Sequence, residues 1–434
     1  TVKLESVAGA LSQAAASPIT TQNLYVGTAI GAILDNTTND VATLAARVSG
    51  AGAFVFADKN DLTIGTVADV AGTPMDGVRT ANGAIRLSAS KDAASTSGNL
   101  ALTDDVIAGG STTATLEAVK GAVTETANVD ITATRLLVKA QDSTSLDNTG
   151  VGGKHLVGTL AASLTGTGAS FGFRNDQALT IGNATAQDSA SATNGITTAS
   201  GNIRVATLGS GAGDAITVIN TLSAGANGSI DLRAGGTAGD IAINGATLRS
   251  TNGAGTGSGN VQLVAGRNIS TSTANSAGAS VTPEIRTTGS VLLQAAGTIG
   301  ADGQRIEIQE AATLASRAGG DTWLRKLDST HADLTLGSVA AINPSATFGG
   351  AVSSLDGITT TAGNGRVALV GETGAITATR DVTANGSGSI ELRANGVGKA
   401  ITLDGATLRS TSGQIQLIAG GNIATTTNDG TTTE

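Results

Sequence analysis

The chain has 434 residues, of which 61 are glycine, 2% are aromatic and none is cysteine, and its formal net charge is −9. So few aromatic residues argue against a conventional globular core, and the lack of cysteine excludes disulfides and thiolate metal sites. The acidic balance argues against nucleic acid and anionic membranes as partners, because both select basic surfaces.

The first forty residues resemble the end of a unit that recurs later in the chain. Leu-Glu-Ser-Val at 4–7 is similar to Leu-Glu-Ala-Val at 116–119, and Leu-Asp-Asn-Thr at 34–37 returns unchanged at 146–149. We therefore assign residues 1–40 to the end of a preceding unit. The same pattern leads us to expect a mature protein or an internal piece of a longer one.

A long repeat sets the boundaries of the units that follow. Val-Ala-Thr-Leu-Ala-Ala at 41–46 returns as Val-Gly-Thr-Leu-Ala-Ala at 157–162, and a weaker copy follows at 312–315. Each copy precedes an aromatic segment, then Leu-Thr-Ile-Gly or Leu-Thr-Leu-Gly, then Gly-[Val/Ile]-x-Thr. We predict that the three units, 41–156, 157–310 and 311–434, form one continuous rod.

Four of the five phenylalanines and the single tryptophan occupy one equivalent place in these units. We interpret them as aromatic side chains that fill an otherwise aliphatic core, with a ligand-stacking box as the alternative. The residues are Phe54, Phe56, Phe171, Phe173 and Trp323.

Short strands dominate within a unit. Residues 84–89, 202–206 and, less cleanly, 290–295 alternate apolar and polar side chains, and a period of two is typical of strands. Asn-Gly, Asp-Gly, Ser-Gly and Gly-Gly pairs between them mark turns that need positive φ. A short helix at 116–123 is the one alternative, although Gly121 and β-branched neighbours weaken it.

A shorter repeat indicates how the strands are arranged. Gly-Ser-Ile-Asp-Leu-Arg-Ala at 228–234 returns as Gly-Ser-Ile-Glu-Leu-Arg-Ala at 388–394, and 259–266 returns at 413–420. Either a string of β-sandwiches or a β-solenoid suits many short strands. The small core side chains favour the solenoid, as do Asn268 and Asn422 at matching turns, where asparagines form ladders. We predict an all-β solenoid in which successive copies of one coil place like residues on top of each other.

The paired arginines Arg233 and Arg393 each follow a leucine, so strand alternation predicts that they point outward. Asp231 and Glu391 lie two residues earlier on the same face. This pattern predicts exposed charge pairs, each worth a few tenths to about 1 kcal/mol. Arg249 and Arg409 form a similar outward pair, and a receptor-binding stripe is the alternative interpretation.

Residues that could carry chemistry are few. His155 and His331 lie at unlike positions in their units, and we expect both at the surface or in turns rather than at a metal. The acidic pairs Asp104–Asp105 and Asp58–Asp61, and the turn at 235–240, are weak calcium candidates. We predict no cofactor and no metal.

An enzymatic alternative rests on Asp104 and Asp105. Polysaccharide lyases and hydrolases built on β-helices place two or three carboxylates in a groove on one face. No second acidic strand lies near these two residues in the sequence, and aromatic platforms for sugar rings are lacking. We therefore predict a protein that is not an enzyme.

A recurring Gly-[Asn/Ser]-Ile-x-Leu-x-Ala rhythm resembles the filamentous-haemagglutinin-like exoproteins of Gram-negative bacteria; it occurs at 83–89, 201–206, 228–234, 259–265, 388–394 and 413–419. The resemblance implies a right-handed parallel β-helix, secretion to the cell surface, and a role in attachment or in an extracellular fibre. A filament or sheath subunit that stacks end to end is the structural alternative.

The expected partners follow from the same resemblance. They are other copies of the chain or flanking repeats, and glycans or proteins on host or neighbouring cells. We expect no nucleic-acid binding. We also expect no membrane insertion, because no apolar run approaches the ~20 residues that span a bilayer.

Overall fold

A computed structural model describes residues 1–69, 71–147, 154–208, 214–225, 227–251, 258–275, 282–327, 333–342, 348 and 350–426. Within these ranges the chain forms strands and turns and no helix, which confirms the predicted all-β class. The segment 116–123 contains the end of one strand and the start of the next instead of a helix. Consequently, the described ranges hold no helix that could cross a bilayer.

The chain divides into two compact units, Thr1–Val205 and Ala206–Glu434. The strands that begin in the first unit are β1 Val2–Ser6, β2 Leu11–Ser12, β3 Thr20–Thr28, β4 Ala32–Leu34, β5 Asp40–Val48, β6 Phe54–Ala57, β7 Leu62–Ile64, β8 Thr66–Ala68, β9 Pro74–Asp76, β10 Val78–Thr80, β11 Ile85–Ala89, β12 Leu100–Leu102, β13 Val106–Ala108, β14 Thr113–Ala118, β15 Val123–Glu125, β16 Ile131–Ala140, β17 Thr144–Leu146, β18 Leu156–Leu164, β19 Phe171–Asn175, β20 Leu179–Ile181, β21 Asn183–Thr185, β22 Ala192–Asn194, β23 Ile196–Thr198 and β24 Ile203–Thr207.

The strands that begin in the second unit are equally short. They are β25 Ile216–Val218, β26 Leu222–Ser223, β27 Ile230–Ala234, β28 Ile241–Ile243, β29 Leu248–Arg249, β30 Val261–Ala265, β31 Ile269–Thr271, β32 Ile285–Arg286, β33 Ser290–Ala295, β34 Ile306–Gln309, β35 Thr313–Ala318, β36 Thr322–Lys326, β37 Leu334–Leu336, β38 Ser338–Val339, β39 Leu355–Asp356, β40 Ile358–Thr360, β41 Val367–Gly371, β42 Ile376–Ala378, β43 Val382–Ala384, β44 Ile390–Ala394, β45 Ile401–Asp404, β46 Leu408–Ser410, β47 Ile415–Ala419 and β48 Ile423–Thr426.

Within each unit, a strand pairs in parallel with the strand one coil before it and the strand one coil after it. In the first unit β7, β12, β15, β17 and β19 form one such column. In the second unit β27, β30, β33 and β35 form another. This is the pairing of a parallel β-solenoid, in which each coil buries its apolar side against its neighbours.

Like residues stack on one another inside the coils. Ile230, Val261, Val291 and Leu314 occupy one register column in the second unit, and each is at most 1% exposed. Burying an aliphatic side chain of this size stabilises a fold by about 1.5–3 kcal/mol. Stability therefore accumulates coil by coil rather than in one large core.

The glycine that opens the Gly-[Asn/Ser]-Ile-x-Leu text lies where the backbones of successive coils come closest. A Cβ on Gly259 would lie 2.1 Å from the carbonyl oxygen of Gly228, and one on Gly413 would lie 2.1 Å from that of Gly388. Cβ atoms do not approach oxygen so closely. The motif glycine is therefore required by the spacing of the coils.

Side-chain oxygens extend the backbone ladder at the turns. Asn268 Oδ1 accepts the N–H of Thr298 one coil further on at 2.9 Å. The carbonyl of Asn268 accepts the N–H of Ile241 at 2.9 Å, and the carbonyl of Asn422 accepts that of Ile401 at 3.0 Å. The two asparagines thus hold equivalent backbone positions, and Asn268 adds a side-chain bond between coils.

Candidate functional site on the outward hairpins

Among the described residues, three antiparallel hairpins interrupt the parallel ladder. The first hairpin joins β8 to β9, the second joins β21 to β22, and the third joins β38 to β39. Each forms its own two-stranded sheet, separate from the parallel ladder. Segments that leave a regular scaffold are where binding residues concentrate, so the hairpins are the candidate functional site.

Each hairpin leaves and re-enters the coil through a pair of hydrogen-bonded glycines. The re-entry glycines have φ of 64°, 67° and 59°, a conformation that glycine adopts without strain. Their N–H groups donate to the exit glycines at 3.3, 2.7 and 2.9 Å; the pairs are Gly77 and Gly65, Gly195 and Gly182, and Gly357 and Gly337. These glycines end the Leu-Thr-[Ile/Leu]-Gly segments and begin the Gly-[Val/Ile]-x-Thr segments of the sequence repeat.

An alanine lies opposite every insertion point. The neighbours of each alanine on its strand point into the coil, so alternation turns the alanine outward. It is nevertheless 0% exposed in all three places, because a hairpin packs over it; the residues are Ala45, Ala161 and Ala315. A small side chain there lets the hairpin approach the sheet.

The second and third hairpins each pack apolar side chains against the sheet. Ala184 and Ala186 of the second hairpin form a buried cluster with Leu137 and Ala161. The third forms a larger cluster, in which its side chains pack on Leu292 and Ala315; its members are Val339, Val352 and Leu355. Each of these two hairpins is therefore fixed by an apolar contact on the outside of the coil.

Arg233 holds the third hairpin by hydrogen bonds in addition to this apolar contact. Its guanidinium donates to both carboxylate oxygens of Asp231 at 2.8–3.1 Å. It also donates to the carbonyl oxygens of Phe348 and Gly350 at 2.6 Å and of Ile342 at 2.9 Å. Arg233 and Asp231 are both 0% exposed, so a complete ion pair lies beneath the hairpin.

The predicted exposure of Arg233 is therefore wrong, although its outward direction and its pairing with Asp231 are present. The counterpart pair, Arg393 and Glu391, is open to solvent on the arginine side, with 38% of the Arg393 side chain exposed. A buried pair cannot contribute to a receptor-binding stripe. The cover over Arg233 comes from residues 109–117 positions later, which no local pattern indicates.

The aromatic residues that we predicted in the core divide into four that lie inside the coils and one that lies on the outer side of its strand. Phe54, Phe56, Phe171 and Phe173 are at most 1% exposed inside the coils. Trp323 is 8% exposed and lies on the outer side of its strand, between two guanidinium groups. Those groups belong to Arg366 and Arg305, whose distances from the ring centroid are 4.6 and 5.4 Å.

His155 is buried, so the predicted surface position is wrong; the residue lies in the connecting segment before β18. Its ring stacks on Phe173 with a centroid distance of 5.5 Å. Nδ1 accepts the N–H of Ile131 at 3.2 Å, and Nε2 lies 2.9 Å from a carboxylate oxygen of Glu125. Because Nδ1 accepts, Nε2 carries the ring proton. His331 lies outside the described residues.

The acidic candidates for calcium or catalysis are held by donors of the chain itself. Asp105 pairs with Arg79 at 2.8 Å and accepts the N–H of Asp130. Asp104 accepts the hydroxyl of Thr66 at 2.9 Å. Asp61 accepts the N–H of Asn99 one coil further on. Asp240, at the end of the 235–240 turn, pairs with Arg267. The described residues contain no group of three acidic or histidine side chains suited to a metal ion.

Asp58 is a buried carboxyl at the place where the next repeat carries Asn175. It accepts the N–H groups of Val41 at 2.8 Å and Asn60 at 3.0 Å, and Asn175 accepts that of Val157 at 3.0 Å. Burial raises the pKa of Asp58 to about 6. Between the ordinary aspartate pKa of 3.8 and about 6, the Asp58 carboxyl is protonated in the folded protein and ionised in the unfolded chain. The free energy of unfolding therefore falls as the pH rises through this range.

Replacing this carboxyl with the amide of the next repeat is expected to stabilise the protein at neutral pH. Asp58→Asn removes the cost of a buried charge, and we expect a gain of about 1–2 kcal/mol at pH 8 that vanishes near pH 4. Urea unfolding of both proteins at the two pH values measures the difference. A difference that does not change with pH would contradict the assignment.

The first hairpin packs on β5, where Ala45 of the strand and Val67 of the hairpin are both buried, but it leaves a cleft beside it. The cleft is lined by Tyr25, Arg47 and Arg79, none of which stood out in the sequence. No family model, curated protein or solved structure matches the chain.

Proposed function

We propose that this chain is a non-enzymatic structural segment of a large secreted bacterial surface protein, and that it carries attachment segments outside the cell. The observation that carries the proposal is the common insertion point of the three hairpins. The coil recurs with the same glycines and the same alanine, while the hairpins between them differ in length and text.

This division into a constant coil and variable hairpins suits a protein that presents binding segments rather than one that catalyses a reaction. The stacked interior sets where each hairpin leaves the scaffold, and the hairpin packs on the outside without entering the core. A solenoid tolerates insertions at such a point because the coils on either side keep their own pairing. Different attachment segments can therefore be carried at one place without redesign of the scaffold.

The proposed location outside the cell rests on the resemblance of the coil text to filamentous-haemagglutinin-like exoproteins. The motif glycines account for that text physically, since they allow close stacking of parallel coils. The absence of cysteine from all 434 residues also suits export in an unfolded form, because no disulfide has to be managed.

An experiment in the source organism tests the proposal directly. An antibody raised against the purified chain is expected to label intact cells, and deletion of the gene is expected to lower attachment to surfaces. Permeabilised cells are the control for access of the antibody. Labelling that appears only after permeabilisation, or unchanged attachment in the deletion strain, would overturn the proposed role.

A further inference from the structure

Each hairpin runs back over the coils that precede it, along a single register column. The column starts at the insertion-point alanine and continues through the residues that lie in strand register with it on successive earlier coils. The three columns are Ala45, Tyr25 and Lys3 under the first hairpin; Ala161, Leu137, Thr115 and Arg86 under the second; and Ala315, Leu292, Gln262 and Asp231 under the third. Contacts that reach past the adjacent coil are unusual in a solenoid, where each coil touches its neighbours.

The third hairpin makes contacts at every level of its column. Next to the insertion point, its apolar side chains pack on Ala315 and Leu292. One coil further back, the amide of Gln262 accepts the N–H of Ile342 at 2.8 Å and donates to its carbonyl at 3.2 Å. Gln262 also donates to Asp231 at 2.8 Å, and the arginine that pairs with Asp231 donates to carbonyls further along the hairpin. One hairpin therefore connects the coils of β27, β30, β33 and β35.

The second hairpin follows its column in the same direction. Its two alanines form a cluster with Leu137, one coil before the insertion point. On the next coil back, Thr115 faces outward by strand alternation, yet it is only 1% exposed. A further coil back, the guanidinium of Arg86 lies 3.5 Å from the carbonyl oxygen of Gln187 on the hairpin. This hairpin therefore extends from β18 over β16 and β14 to β11.

The first hairpin also reaches a coil that is not adjacent to its insertion point. Its strand β8 contacts both β5 and β3. Beyond them, Asp69 accepts a hydrogen bond from the ammonium group of Lys3 on β1 at 3.1 Å. The same carboxylate accepts the N–H groups of Ala71 and Thr73, both at 2.9 Å, so the turn of the hairpin is built around the group that contacts β1. All three hairpins thus share one direction and one kind of path.

Contacts that cross several coils change how a solenoid can open. Coils that touch only their neighbours can unfold a few at a time. A coil beneath a hairpin cannot separate in this way, because its opening also breaks the contacts of the hairpin with the other coils of the column. We propose that each hairpin is a clip that couples the coils of its column into one cooperative unit of unfolding. This property goes beyond the proposed role in attachment and does not depend on it.

Native-state hydrogen exchange of the purified chain in low concentrations of urea measures this coupling. In the parent protein, the slowest amides of β27, β30 and β33 are expected to have protection factors within about threefold of one another and the same dependence on urea, because one opening event exposes all three strands. The slowest amides of β11, β14 and β16 are expected to form a second such set. Different urea dependences for the strands of one column would overturn the proposal.

Two deletion variants, each lacking one hairpin, are matched controls for one another. In the first, a single alanine replaces residues 337–357. This change rebuilds an uninterrupted strand, because the preceding coil has one residue, Ala315, opposite the whole insertion. In the second, a single alanine replaces residues 182–195 for the same reason. Each variant also carries threonine in place of the outward leucine that its hairpin covered, Leu292 or Leu137.

Each deletion is expected to divide its own set of strands and to leave the other set unchanged. Without the third hairpin, the protection factors of β27, β30 and β33 are expected to differ by at least about tenfold, because each coil then opens according to its own contacts. The set β11, β14 and β16 keeps its common value, and deletion of the second hairpin gives the converse. If a folded variant leaves its own set undivided, or if one deletion changes both sets equally, the hairpins are not clips. Either variant alone is sufficient for this comparison, and circular dichroism checks that its coils are retained.

Discussion

Replacing Arg233 with alanine is expected to lower the free energy of unfolding by about 3–5 kcal/mol. The substitution leaves the Asp231 carboxylate buried without its counter-charge, and removal of one partner from a buried ion pair is strongly destabilising. It also removes the donors to three hairpin carbonyls, those of Ile342, Phe348 and Gly350. Urea unfolding of the whole chain measures the loss.

The repeat supplies a matched control for this prediction. Arg393→Ala removes the same residue type from the same Leu-Arg-Ala context, but its side chain is partly exposed. Glu391 keeps its ion pair with Arg366 when Arg393 is removed, and a partly exposed pair contributes about 1 kcal/mol or less, so the control variant is expected to be nearly neutral. Equal losses in the two variants would show that the third hairpin does not depend on Arg233.

Hydrogen exchange separates loosening of the hairpin from loss of the coil. In Arg233→Ala, amides of β38 and β39 are expected to exchange faster than those of β27 and β30, because the hairpin loses its anchor first. The paired variant Asp231→Leu with Arg233→Met removes both charges together. It is expected to recover the part of the lost stability that comes from the unpaired charge, while the three hairpin carbonyls still lack their donor.

The parallel coil is predictable from the sequence because its causes are local. Alternation over 84–89 and 202–206 indicates strands, and the repeated Gly-[Asn/Ser]-Ile-x-Leu text indicates stacking of like on like. The small interior side chains then favour a narrow solenoid over a sandwich. Each of these signals lies within a few residues of the structure that it predicts.

The hairpins were not predictable in the same way. Their strands are two or three residues long, too short for a period to be recognised. The sequence repeat does contain the bracketing glycines, and their meaning emerges only when Gly65 and Gly77 are seen to bond across the gap. A pair of glycines separated by a variable segment in every unit is the signal that could have indicated an insertion.

Burial of outward polar residues was missed because the covering groups are distant in sequence. Alternation correctly places Arg233 and Asp231 on the outer side of β27, but it cannot say that a segment more than 100 residues later lies over them. The cleft at Tyr25 and Arg47 could not be predicted for a related reason, since strands from three coils and a hairpin together form it. Sequence patterns indicate the direction of a side chain, and the fold decides whether solvent reaches it.

Replacing the motif glycine Gly388 with alanine is expected to cost about 3 kcal/mol. Its Cβ would lie 2.1 Å from the carbonyl oxygen of Gly365 on the preceding coil, and the clashing atom is backbone, so the two coils must separate. Overpacking of this kind costs about 1–3 kcal/mol when it can be relieved. The loss is measured as a shift in the urea unfolding midpoint.

Gly371→Ala is the matched control for the same unit. Gly371 lies within β41 in register with Ala394, and a Cβ there would meet its nearest atom at 3.4 Å, an ordinary contact. This variant is expected to be neutral or to stabilise the protein by up to about 1 kcal/mol, because alanine restricts the unfolded chain. If Gly388→Ala were as well tolerated as Gly371→Ala, close stacking of the coils could not be the reason for the motif glycine, and the physical basis of the repeated text would have to lie elsewhere.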